Sequence, residues 1–135
     1  MFQEVANGAL NILIGVGITI LMMVVGFLVF STITKYNDLQ EIKNGNKAAG
    51  IYMGSKLMGI GIIIAFASYS SHNWILMITW GLVGVIILSL VYLIFDKLTI
   101  GFKVCDEIQR GNESVAKMLS GVIIGVSIVL GTLLL

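Results

Sequence analysis

The chain contains no proline, one cysteine and one histidine, and charged residues make up only 11% of it. Each shortage excludes something. Without proline, the commonest helix-breaking device is missing, so helices end by other means. A single Cys105 rules out an intrachain disulfide framework, and with His72 as the sole histidine there is no Cys/His cluster to hold a metal. Soluble domains carry about 25% charged residues, more than twice the share here. A formal net charge of +1 argues against a nucleic-acid partner. No nucleophile–base pair, metal-ligand spacing or phosphate-binding loop is present, so neither an enzyme nor a cofactor is expected.

What remains is apolar. Hydrophobic residues make up 58% of the 135 positions, and the mean hydropathy is +1.03. Four runs stand out, at 8–33, 48–68, 74–95 and 118–135, the last reaching full length with its preceding turn from about 115. Each is long enough to cross roughly 30 Å of hydrocarbon as a helix. In lipid the backbone must bond to itself, which predicts helices, and the alternation of a membrane barrel is missing. The predicted fold is an all-α integral membrane protein with four transmembrane helices in a single domain, 1–135. The first run is not a cleaved signal peptide, because Glu4 and no basic residue precede it and the run is too long.

Seven of the eight basic residues fall in two stretches: Lys35, Lys43 and Lys47, then Lys97, Lys103, Arg110 and Lys117. The connection at 69–73 and the N-terminal residues carry none, and the last apolar run continues to Leu135. The positive-inside rule places both basic loops in the cytoplasm and both termini outside. Tyr69 and Trp74 then belong to the outer interfacial belt.

The two loops read alike. Glu41-Ile42-Lys43-Asn44-Gly45-Asn46 matches Glu107-Ile108-Gln109-Arg110-Gly111-Asn112 at an offset of 66, which also aligns Gly59 with Gly125 and Ile62 with Ile128. Over 38–69, 6 of 32 positions are identical; most others exchange small for small or apolar for apolar. Duplication is expected, with unit one at 8–70 and unit two at 74–135. Each unit has two spans, so both share one orientation, related by a pseudo-two-fold axis along the membrane normal.

Within each motif a short amphipathic turn is predicted, at 38–44 and 104–110, with Ile42 and Ile108 facing lipid or the bundle. Gly45 and Gly111 suit the left-handed end of a helix. Asn46 and Asn112 suit the N-cap of the next span. Glu41 and Glu107 can bond to those N-termini or to basic residues across the axis. The plain reading is a re-entry turn used twice. The functional reading brings two acids and two asparagines together at the cytoplasmic mouth, to bind a cation or a partner protein.

Lys56 is the one charge inside a span, roughly 15 Å beyond Asn46 at 1.5 Å per residue. A lysine at such depth costs roughly 2.5 kcal/mol or more. Two readings are open: the stem snorkels to the headgroups, or the ammonium faces the bundle interior or an oligomer axis and lines a polar path. Asp96 is the nearest plausible carboxylate. Gly50 with Gly54, and Gly121 with Gly125, form GxxxG pairs suited to close helix packing, within or between chains. Thr19, Thr79, Ser89, Ser120 and Ser127 are expected to bond to helix carbonyls or across helix contacts. Cys105 reads as reduced and inert, and His72 lies in the outer loop.

Asp96-Lys97-Leu98-Thr99-Ile100-Gly101-Phe102, followed by Glu107-Ile108 and Gly111-Asn112, resembles the YjfL-like family of small bacterial inner-membrane proteins. So does Glu41-Ile42 with Gly45-Asn46-Lys47-Ala48-Ala49. The resemblance covers nearly the whole chain and implies paired two-helix repeats in a bacterial or archaeal cytoplasmic membrane. It also implies company with envelope-stress and membrane-maintenance systems. Lys35 stands where a proline is expected, and Lys56 interrupts a small, apolar stretch. The expected function is a non-enzymatic component in the lipid bilayer, forming a homo-oligomer or binding a cytoplasmic or membrane protein partner. The alternative is an oligomeric ion or small-solute channel with Lys56 on the permeation path.

Overall fold

The computed structural model describes residues 1–34, 36–70, 73–98 and 103–134. Lys35, His72 and the 99–102 part of the loop motif lie outside them. The described residues form six helices and no strand: α1 (Phe2–Ile33), α2 (Asp38–Lys43), α3 (Lys47–Ser70), α4 (Trp74–Leu98), α5 (Val104–Gln109) and α6 (Glu113–Leu133). Helices α1, α3, α4 and α6 are long and apolar enough to cross a membrane. Short α2 and α5 lie at one end of the bundle.

Asparagine and aspartate do the work that proline does elsewhere. Asn37, Asn46 and Asn112 each accept a hydrogen bond from a backbone N–H in the first turn of α2, α3 and α6. Asn73 does the same for α4, from Ile75. Such caps are worth about 1 kcal/mol each. Inside the spans, Thr19, Thr79, Ser89 and Ser127 donate to the carbonyl one turn back, at 2.7–2.8 Å, so no hydroxyl among these four faces lipid unpaired.

Helix α1 begins at Phe2, earlier than the apolar run suggests. Its 32 residues correspond to about 48 Å at 1.5 Å per residue, well beyond a hydrocarbon core. Residues 1–14 are accordingly exposed, and α1 packs through Met22, Gly26 and Phe30.

Helix α3 is the centre. It packs most extensively on α6, then on α4 and α1, while α1 also rests on α4. Close approach depends on glycine. A Cβ at Gly59 would stand 2.5 Å from Ser127 Oγ and 3.0 Å from Leu88 Cδ1, and one at Gly84 2.8 Å from Ile63 Cδ1. Gly26 and Gly131 are equally tight, against Ile60 and Phe66. Helices in lipid associate by such packing, because burying apolar surface gains nothing against apolar tails.

The expected two-fold relation between the halves does not describe this packing. It would give Gly125 the surroundings of Gly59, yet nothing lies within 4 Å of a Cβ at Gly125. Two different faces of α3 and α6 meet instead.

Gly59→Leu should therefore destabilise the bundle by about 1–3 kcal/mol or more through overpacking, while Gly54→Leu, at an open position, should cost little. Unfolding of both variants in a mixed-detergent titration checks the ranking, and equal costs would refute the tight contact at Gly59.

Candidate functional site

Both short helices end in the same way. Gly45 and Gly111 have φ +83° and +86°, the left-handed region that glycine enters without a Cβ penalty. At the first, Gly45 N–H donates to the Ile42 carbonyl and Asn46 N–H to the Glu41 carbonyl; at the second, Gly111 pairs with Ile108 and Asn112 with Glu107, all at 2.9–3.1 Å. This double bond pattern is a Schellman motif. The residue after the glycine then caps the next span, so one Gly-Asn pair stops one helix and starts another.

Glu41 and Glu107 do not reach across to the other loop. Each accepts from the side-chain amide of its own asparagine, Asn46 or Asn112, at 3.0 Å, and Glu107 also pairs with Arg110 at 3.1 Å. The link between loops comes from Asn46 alone among the described bonds. Its Nδ2 donates to the Ile108 carbonyl at 2.9 Å and to the Gln109 carbonyl at 3.1 Å. With Glu41 that makes three acceptors for two hydrogens, so one is shared. Ile108 is fully buried and Ile42 packs on the core, which places both against the bundle. Between the loops lies a cleft of about 360 Å³, with Glu41, Asn44, Lys47, Arg110 and Glu113 among its walls. It carries charge of both signs.

Lys56 does not snorkel to the lipid headgroups. It is 1% exposed, inside the bundle. Its Nζ lies 4.2 Å from the ring centroid of Tyr52, 4.6 Å from Tyr92 and 4.9 Å from Phe30, so three helices each supply a ring. The ammonium points back along α3 toward Tyr52, one turn earlier, as helical side chains do. A desolvated cation–π contact is worth about 2 kcal/mol or more, so the rings together offset the insertion cost. Among the described residues no carboxylate comes within 4 Å of Nζ.

The acid whose field reaches Lys56 is Asp38, not Asp96. Asp38 is buried and accepts from Thr34 Oγ1 at 2.8 Å. Asp96 instead accepts from the Cys105 N–H at 3.1 Å, capping α5 from outside. Cys105 and Tyr92 are both buried at this end of the bundle. The Tyr52 hydroxyl is buried with no partner among the described residues. Burial, then the Asp38 charge, pushes the Tyr36 phenol above its ordinary range, so it stays a neutral hydroxyl.

These groups form a buried polar cluster at the short-helix end, and it stops at Lys56. Beyond it the core is mainly aliphatic, with Ile60, Ile64, Leu88, Val85 and Met22, and its buried hydroxyls, Ser89 and Ser127, bond to their own helix carbonyls. Rings from three helices of the one chain enclose Lys56, and no charged residue is buried beyond it among the described residues. Sequence reasoning missed the cage because Phe30, Tyr52 and Tyr92 lie in different spans; only Tyr52, one turn before Lys56, was a local signal.

The glycine pairs are outside this cluster. Gly50, Gly54, Gly121 and Gly125 all have open space where a Cβ would stand. At the opposite end, Tyr69 is exposed and Trp74 packs against the core.

Four long apolar helices around a buried cluster, with two matched capped loops, define a multi-pass membrane protein. The chain belongs to the family described as Domain of Unknown Function (DUF350), matched over residues 4–134. It is 35% identical over 113 residues to the UPF0719 transmembrane protein YshE of Bacillus subtilis, covering 83% of this chain and 84% of that protein. It is 31% identical over 136 aligned positions to a UPF0719 transmembrane protein of Aquifex aeolicus, covering 96% of this chain and 47% of that protein. No solved structure matches. These matches do not extend to the YjfL name that the loop motifs suggested.

Two outcomes follow. Asn46→Ala should cost more than Asn112→Ala, by about 1 kcal/mol, because only Asn46 bridges the loops; equal unfolding free energies in detergent would contradict the bridge. Asp38→Asn should destabilise by removing the electrostatic support it adds to the rings around Lys56, and adding Lys56→Met should restore part of the loss. A double-mutant cycle should give a coupling of about 0.5–3 kcal/mol, and additive effects would show that the two charges do not interact.

Proposed function

We propose that this chain is a non-enzymatic component of a bacterial or archaeal cytoplasmic membrane, acting by assembling with copies of itself or with a partner protein. The observation that carries this reading is the difference among its glycines. Gly26, Gly59, Gly84 and Gly131 are occupied by contacts inside the bundle, whereas Gly50, Gly54, Gly121 and Gly125 are open. Backbone approach through small residues is what drives helix association in lipid, and these positions, paired at GxxxG spacing, are free for it, as are Gly8 and Gly17 of α1. The Aquifex relative supports the same view. Nearly all of this chain matches 47% of that protein, which leaves there about the length of a second such chain.

In this reading the short-helix end faces the cytoplasm. Lys43, Lys47, Lys97, Lys103, Arg110 and Lys117 lie at that end, and the positive-inside rule puts such loops inside, with both termini outside. The two units, 8–70 and 74–135, descend from one helix–loop–helix ancestor, as their matched capping patterns support. The mixed-charge cleft between the loops is the surface offered to a cytoplasmic partner, and the setting in envelope maintenance rests on the family resemblance of the loop motifs. A conduit through Lys56 is disfavoured, since the rings of one chain enclose it.

The test is assembly mass in mild detergent. Gly54→Leu and Gly125→Leu should each lower the oligomer mass while leaving helix content unchanged, since neither meets a neighbour within the chain. Unchanged mass in both variants would remove these faces as the contact.

A further inference from the structure

Resting on that self-association reading, we propose that copies of this chain join head to tail in the membrane. The Gly121/Gly125 face of α6 in one copy sits on the Gly50/Gly54 face of α3 in the next.

The argument is the contact that the chain already makes with itself. Helices α3 and α6 run parallel, because both start at Asn-capped turns tied together by Asn46. On α3 the contact uses Gly59 and Phe66, with the buried Ser55 one turn before Gly59. On α6 it uses Ala116, Ile123, Ser127 and Gly131: Ser127 and Ile123 stand against Gly59, and Phe66 of α3 stands against Gly131. These are different faces. At the offset of 66, Ser55 and Gly59 correspond to Gly121 and Gly125, while Ala116, Ile123, Ser127 and Gly131 correspond to Gly50, Leu57, Gly61 and Ala65.

One face of each kind is therefore occupied inside the chain; the counterpart on α6 is left over, and the counterpart on α3 is left over at Gly50 and Gly54, while its Leu57 and Gly61 border α1. The left-over face on α6 is exposed at Gly121 and Gly125, with nothing within 4 Å. The left-over face on α3 is open at Gly50 and Gly54, exposed at Met58 and Ala65, and at Gly61 meets the flexible end of Met23. The left-over surfaces are related to each other as the joined ones are, and both are built of small residues. What covers them is a second copy, repeating between chains the junction already made within one.

The depths agree as well. Within the chain, Gly59 lies 13 residues past Asn46 and meets residues 11 and 15 past Asn112. Between chains, Gly54 lies 8 past Asn46 and Gly121 lies 9 past Asn112, level to within about 1.5 Å. Because the two surfaces differ, the contact is heterologous. It closes into a ring or runs on as a row, and it does not form a two-fold dimer.

Cysteine cross-linking between separately purified variants tests this. Helices that meet through glycine bring Cα atoms near the roughly 4.4–6.8 Å that a disulfide spans. Gly54→Cys and Gly121→Cys place thiols on the two faces at open positions, and the native Cys105 is buried, so oxidised wild type serves as the blank. The expected result is a disulfide-linked dimer only when the two variants are mixed in folded, reconstituted form, and a ladder of multiples from the double variant. Self-linking of either variant alone, as strong as in the mixture, would overturn the head-to-tail arrangement in favour of a two-fold contact. Absence of linking in the mixture while native mass shows an oligomer would also overturn it, placing the contact on another face. A monomeric wild-type mass under the same conditions would instead overturn the self-association reading beneath it.

Discussion

The close approach of α3 and α6 at Gly59 governs this bundle. In water, an amphipathic stripe would select its own partner by hiding from solvent. In lipid that drive is absent, and helices pair where shape lets backbones come near. Ser127 and Leu88 fit against Gly59 because no Cβ stands in the way. That contact puts α6 and α4 on α3 together, and α1 joins through Gly26 against Ile60. The central position of α3 follows from glycines at its contacts, Gly59 on α3 itself and Gly26, Gly84 and Gly131 on α1, α4 and α6.

The short-helix end obeys a second constraint, which is hydrogen-bond satisfaction at the four helix starts and four helix ends gathered there, with no proline to help. The Gly-Asn pair closes one helix and opens the next within two residues, and Asn46 adds a bridge to the other loop. Beneath this cap lies the polar cluster of Thr34, Asp38, Tyr52, Tyr92, Cys105 and Lys56. The lysine is held there by aromatic faces from three helices. Beyond it the interior is mainly aliphatic, and the buried Ser89 and Ser127 bond to their own helix carbonyls. Buried charge is thus confined to the short-helix end of the bundle, at Asp38 and Lys56 among the described residues.

Much of the local design was legible in the residues. Gly45 and Gly111 lie in the left-handed region, and Asn46 and Asn112 cap the following spans, because those roles depend on residues within a few positions of each other. The hydroxyls that bond one turn back were legible for the same reason. Lys56 was recognised as exceptional, but its surroundings were not, since Phe30 and Tyr92 stand 26 and 36 positions away. Asp96 looked like its partner by depth alone; the fold turns Asp96 toward Cys105 and brings Asp38 under the bundle instead. Likewise the glycine pairs were visible as spacings, while which glycines touch and which stay open was not.

The sequence by itself determined the number of spans, the ends of most helices, the matched turns and the asymmetry of charge. These follow from hydropathy, length and short-range hydrogen bonding, which act along a single stretch of chain. Only the tertiary structure decided that Gly59 is filled while Gly125 is open, that Lys56 faces rings and not lipid, and that the two halves meet by unlike faces. Those outcomes depend on how each helix is rotated about its own axis. In a membrane, where nearly every face of a helix is apolar, periodicity carries little information about that rotation, and contact shape sets it.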